Sequence, residues 1–117
     1  MAVEKEITVV FFRSLGGAEP VRDWLRELPK PDRARIGEDI RVVEFGWPIG
    51  MPVCRALGGG LYEVRTTLKD RIARVLFAIS ADDMVLLHAF IKKTQSTPKN
   101  DLDLARTRWK AFQRRQT

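Results

Sequence analysis

Two arginines in neighbouring strand-like runs, Arg65 in LYEVRTTL and Arg74 in IARVLFAIS, are the side chains best placed for chemistry on an anion. If the loop between the runs is the two residues Lys69-Asp70, cross-strand partners sum to 139. Arg65 then faces Arg74, while Val64 faces Val75 and Tyr62 faces Phe77 on the other side of the hairpin. Like charges placed opposite each other cost up to about 1 kcal/mol in a sheet, a cost that a bound anion would offset. Two other readings stay open: Glu63, on the arginines' face, neutralises one of them, or a longer loop breaks the register, since Lys-Asp is a weak hairpin turn. The following run ends FIKKTQSTP and brings Lys92 and Lys93 to the end of the strand. Side chains alternate, so only one of these lysines shares Arg74's face. The length of the loop around Ala81-Asp82-Asp83 decides which, unless both simply end the strand in solvent.

Two arginines and a lysine are adequate for one chemistry on such an anion, cleavage of RNA without metal, with lysine as acid or base only where nearby charge or burial lowers its pKa. The neighbouring 2′-hydroxyl attacks phosphorus, so the protein has to orient the linkage, move two protons and stabilise the charged phosphorane. Arginine does the last through bidentate bonds to phosphate oxygens and stays charged while doing so. His88 is a candidate acid or base by its intrinsic pKa, but it lies in the apolar run VLLHAF, where a packed core histidine is the plainer alternative. Tyr62 is expected in the core opposite Arg65. Cys54 has no histidine beside it in sequence to activate it as a nucleophile. One cysteine excludes an internal disulfide, and with one histidine no Cys/His zinc site can be assembled. Neither metal nor cofactor is expected.

These side chains must be positioned by a chain of 117 residues, 44% hydrophobic and 31% charged, which fits one domain spanning residues 1–117. The net charge of +6 is uneven. Residues 1–91 carry equal numbers of acidic and basic side chains, and the excess lies from Lys92 onward. There Lys99, Arg106, Arg108 and Lys110 are candidates for binding RNA, with a merely solvated helix face as the alternative. No stretch approaches the roughly 20 apolar residues of a membrane span. MAVEKEI carries two Glu where a secretion signal would be positive, so a cytoplasmic protein is expected.

Periodicity gives the elements. Glu6 to Phe12 reads as a strand. Val21, Trp24, Leu25 and Leu28 form a helical stripe after Pro20, and Ile36, Ile40 and Val43 form a second that ends at Gly46. GWPIGMPVCRALGGG is punctuated enough to read as an irregular loop. Strands over 61–68, 72–80 and 84–91 follow with connections too short for crossovers, which makes an antiparallel meander. Thr97 is expected to cap a last helix with Pro98 in its first turn and Leu102, Ala105, Trp109 and Phe112 on its apolar stripe. The expected fold is α+β, in the order β-α-α-β-β-β-α.

Taken with this order, LGGGLYEVR, RIARVLFAIS and LLHAFIKKTQSTPKNDLDLARTRWK resemble the RelE superfamily of toxins, most closely its phage-derived HigB-like branch. The resemblance runs from the first strand to the last helix, and FIKKTQSTP leading into NDLDLAR is its most specific part. It implies a toxin of a toxin–antitoxin pair: a ribosome-dependent endoribonuclease that cuts translated messenger RNA without metal. It also implies a helix-turn-helix antitoxin as partner, with the complex binding operator DNA. Arg74 matches the central-strand arginine that contacts the scissile phosphate in similar toxins. Arg65 stands for a basic residue on the preceding strand, and Lys92 and Lys93 for the basic group ending the fourth. The final segment lacks the tyrosine or histidine that several relatives place there for stacking or proton transfer. The alternatives are a ParE-like gyrase poison that needs no catalytic groups, and an inactive nucleic-acid- or antitoxin-binding domain.

Overall fold

The structure, a computed structural model, describes residues 4–50, 52–92 and 96–116. Its elements are β1 (Thr8–Phe11), α1 (Pro20–Glu27), α2 (Lys30–Gly46), β2 (Cys54–Gly58), β3 (Leu61–Leu68), β4 (Arg71–Ser80), β5 (Asp83–Lys92) and α3 (Lys99–Gln116). They form an α+β fold around one five-stranded sheet in the order β1-β5-β4-β3-β2. From β3 to β5 the sheet is the expected antiparallel meander, β2 extends it antiparallel beside β3, and β1 joins β5 in parallel.

Both faces of the sheet are covered, which is why β4 and β5 read as nearly continuous apolar runs rather than alternating ones. On one face α1 and α2 pack Val21, Ile36, Ile40 and Val43 against Val64, Val75, Phe77, Met84 and Leu86. Tyr62 lies there as expected, its ring 4.9 Å from that of Trp47 and 5.5 Å from that of Phe77. On the other face α3 sets Leu102, Ala105, Trp109 and Phe112 over Leu61, Leu76, Ala78, Leu87 and Phe90. Among the described residues, no helix is long and apolar enough to cross a membrane.

The stretch expected to be an irregular loop contains the edge strand β2. Its glycines end the strand instead of interrupting it: Gly58 closes β2, and with Gly59 and Gly60, all at positive φ, it makes the turn into β3. The register slips between Ala56 and Gly58. The opposite edge of the sheet is closed by the end of α2. There the Glu44 carbonyl accepts the amides of Glu6 and Ile7, and the Glu44 carboxylate accepts that of Val9 at 2.9 Å.

Candidate active site

The Lys69-Asp70 turn has the expected two residues, with Asp70 at φ 61°. The β3–β4 register is therefore the one in which Arg65 faces Arg74, Val64 faces Val75 and Tyr62 faces Phe77. Both arginines lie on the α3 side of the sheet. Glu63 lies on the same side and is wholly buried. Its carboxylate sits 3.6 Å from Arg65 Nε and 3.9 Å from Arg74 Nη1. Arg74 has no exposed surface, whereas the Arg65 side chain keeps 15% of its own. One carboxylate thus holds two facing guanidiniums together, and of the two Arg65 is the one that reaches solvent. Burial pulls the Arg74 guanidinium below its ordinary pKa range; Glu63 opposes this, while Arg65 and Arg55 reinforce it.

Thr97 completes the cluster. Its hydroxyl donates to Glu63 Oε2 at 2.6 Å and accepts from Arg74 Nη1 at 3.4 Å. The expected helix cap is corrected accordingly. The Leu102 amide bonds the Pro98 carbonyl, α3 begins at Lys99, and the Thr97 hydroxyl serves the sheet rather than the helix end. A buried carboxylate between two cations competes for that hydroxyl more strongly than a solvated amide does.

Ile72 pairs with Lys92, so Lys92 is the lysine on Arg74's face, at the exposed end of β5. Lys93 lies outside the described residues. His88 is neither packed in apolar surroundings nor open to solvent. A register shift opposite Leu76/Phe77 leaves Leu87 as an extra residue in β5 and turns His88 toward α3. There His88 Nε2 lies 2.7 Å from Asp101 Oδ1, and Arg108 Nη1 approaches Nδ1 at 3.5 Å while donating to the Leu87 carbonyl at 2.8 Å. The Asp101 carboxylate accepts from the ring, so Nε2 carries a proton. His88 and Asp101 thereby fasten the first turn of α3 to the sheet.

The basic residues of α3 divide in two. Lys99, Arg106 and Lys110 are exposed and share one helical stripe, on a flank of the helix beside its apolar stripe. Arg108 is turned inward, where burial lowers its pKa and the Leu87 carbonyl takes its donor. The stripe starts beside the Arg65–Arg74 cluster, since Lys99 follows Thr97 by two residues, and runs away from it along the helix. Sequence reasoning missed Arg55. It pairs with Glu63 from β2 and so falls on the arginines' face, in solvent, close enough for its charge to act on Arg74. Its signal was the short run VCRAL before three glycines, hidden by the surrounding Pro and Gly. Among the described residues no group of His, Cys, Asp and Glu could hold a metal ion.

A sheet capped by helices on both faces, with cations from neighbouring strands gathered beside the start of the last helix, defines a small α+β protein with a cationic face. The family model described as Phage derived protein Gp49-like (DUF891) matches residues 23–110. The chain belongs to that phage-derived family, which is commonly of toxin type. No curated protein sequence matches the chain.

Proposed function

We propose that the protein is the toxin of a toxin–antitoxin pair and acts as a ribosome-dependent endoribonuclease of the RelE/HigB type, in the cytoplasm. The observation that carries this reading is the convergence of Arg65, Arg74 and Lys92 on one face, around a carboxylate that fixes the two guanidiniums without neutralising all the charge. Membership of a phage-derived, toxin-type family supports it.

In the proposed reaction the ribose 2′-hydroxyl gives its proton to solvent water as its oxygen attacks the adjacent phosphorus, the bond from phosphorus to the 5′-oxygen breaks, and the products end in a 2′,3′-cyclic phosphate and a 5′-hydroxyl. Arg65 bonds the non-bridging oxygens as they gain charge. Arg74, locked to Glu63 and Thr97, holds the electrostatic field behind it. Lys92, exposed on the same face, delivers a proton to the leaving 5′-oxygen. His88 acts through position, keeping α3 and Thr97 in place. Lys99, Arg106 and Lys110 offer a second RNA contact on the flank of α3. The proposed partners are the ribosome with its message and a helix-turn-helix antitoxin whose complex with the toxin binds operator DNA.

Primer extension on a translated message, with and without ribosomes, tests the reading. Cuts should arise only with ribosomes, and Arg65→Gln should lower cutting by about 10²-fold or more, the usual cost of losing a donor to a developing oxyanion. Arg65 is the residue to change, because it reaches solvent, whereas Arg74 is sealed and its truncation would leave a cavity beside Glu63. DNA damage with intact messages would instead identify a gyrase poison.

A further inference from the structure

Arg55, Arg65, Arg74 and Lys92 come from four successive strands and share one face. In register terms Arg55 lies level with Glu63, Arg65 and Arg74 two residues farther on, and Lys92 two residues beyond them. The cations therefore run obliquely across the sheet. With strands about 4.8 Å apart and about 3.4 Å per residue, the Cα atoms of Arg55 and Arg65 are roughly 8 Å apart, and those of Arg65 and Lys92 roughly 12 Å. Arg74 is sealed, so Arg55, Arg65 and Lys92 are the parts of this line that meet solvent. Arg55 is exposed, and among the described residues no carboxylate pairs with it. Four cations set against Glu63 leave the line strongly positive.

We propose that this line is a track for an extended single-stranded RNA backbone, in which Arg55 holds the phosphate next to the one gripped at Arg65 and Lys92 lies on the other side, at the leaving 5′-oxygen. The proposal rests on the nuclease reading and deepens it, because it adds Arg55 as a binding residue and makes the substrate a strand of several linkages rather than one. A row of cations on neighbouring strands suits a regularly charged backbone better than a compact anion, which would fill only one position. A cation at the outer end of the track contributes to affinity through counterion release, so its removal is read in the salt dependence of binding.

The test uses the full chain and a fluorescein-labelled, 2′-O-methyl hexanucleotide, which cannot be cleaved because its 2′-oxygens are blocked. Binding is followed by anisotropy from about 50 to 200 mM salt, where each phosphate contact on a single strand adds about 0.7 to the slope of log K against log salt. Arg55→Gln should reduce that slope by about 0.7 and weaken binding about fivefold at 0.1 M salt, with an unchanged circular dichroism spectrum. An equal slope in Arg55→Gln while cutting of translated message stays intact sinks the track and leaves the nuclease reading. A reduced slope in a protein that cuts no message sinks the nuclease reading and leaves the track. Displacement of the probe by poly-glutamate as readily as by unlabelled RNA of equal charge, or no salt-dependent binding by the unaltered chain up to about 1 mM, overturns the proposal.

Discussion

Two guanidiniums that face each other across a hairpin stay there because a third group sits between them, and that group, Glu63, is as deeply buried as Arg74. Taking one partner away from a buried ion pair leaves the other desolvated and uncompensated, which costs about 3–5 kcal/mol. Glu63→Gln should therefore lower stability by about that amount even though its shape is almost unchanged. Glu63→Leu combined with Arg74→Met should cost less than the two changes summed, because the two fully buried charges are removed together and only Arg65, which reaches solvent, loses a partner. Urea unfolding of the four proteins in a double-mutant cycle reads the coupling. A Glu63→Gln protein within about 0.5 kcal/mol of the unaltered chain, the range of an ordinary surface change, would remove Glu63 from its place at the centre of the cluster.

At the scale of elements, the two-residue turns decide which side chains meet. Asp70 at φ 61° suits its residue type, since aspartate tolerates the left-handed region. Ala81 sits at φ 53° in the turn between β4 and β5, where its Cβ is strained. Ala81→Gly relieves that strain at some cost in chain entropy, for a net gain of about 0.5–1 kcal/mol. The gain is to be read as a higher urea midpoint with an unchanged slope, and a lower midpoint would show that the turn does not strain Ala81. These same turns explain what was legible in the sequence. β3, β4 and β5 announce themselves through β-branched and apolar runs joined by short polar loops, so the pairing of Arg65 with Arg74 follows from counting residues. The position of Lys92 needed the second turn, and whether Glu63 took up one arginine or stood between both needed the packing. The bulge at Leu87 has no signature in VLLHAF, because apolar residues fit either face of a sheet covered on both sides. β2 was hidden for the opposite reason: glycines and prolines that punctuate its flanks read as loop until β3 supplies a partner for Cys54–Gly58. Arg55 was lost with it.

Across the whole molecule, the sheet separates two environments, and Cys54 senses both. It is buried in the core under α1 and α2, while Glu63 on the neighbouring strand adds a negative charge nearby. Burial first, and that charge second, push the thiol pKa up from 9.0 to about 11. Folding therefore favours the protonated thiol. Below pH 9 both folded and unfolded chains hold the proton and the contribution to stability is fully present. Between about pH 9 and 11 only the unfolded chain loses it, so stability falls with rising pH until the folded thiol also titrates. A shift of this size corresponds to roughly 2–3 kcal/mol. Cys54→Ala removes the titrating group, so its unfolding free energy should decline less steeply across that window than that of the unaltered chain, whatever the lysines and Tyr62 contribute to both. Urea unfolding at intervals from pH 8 to 11 measures the difference. Parallel declines would mean that the thiol is not shielded by the α1–α2 face, and that the sheet does not close off its interior from solvent beside the cationic face.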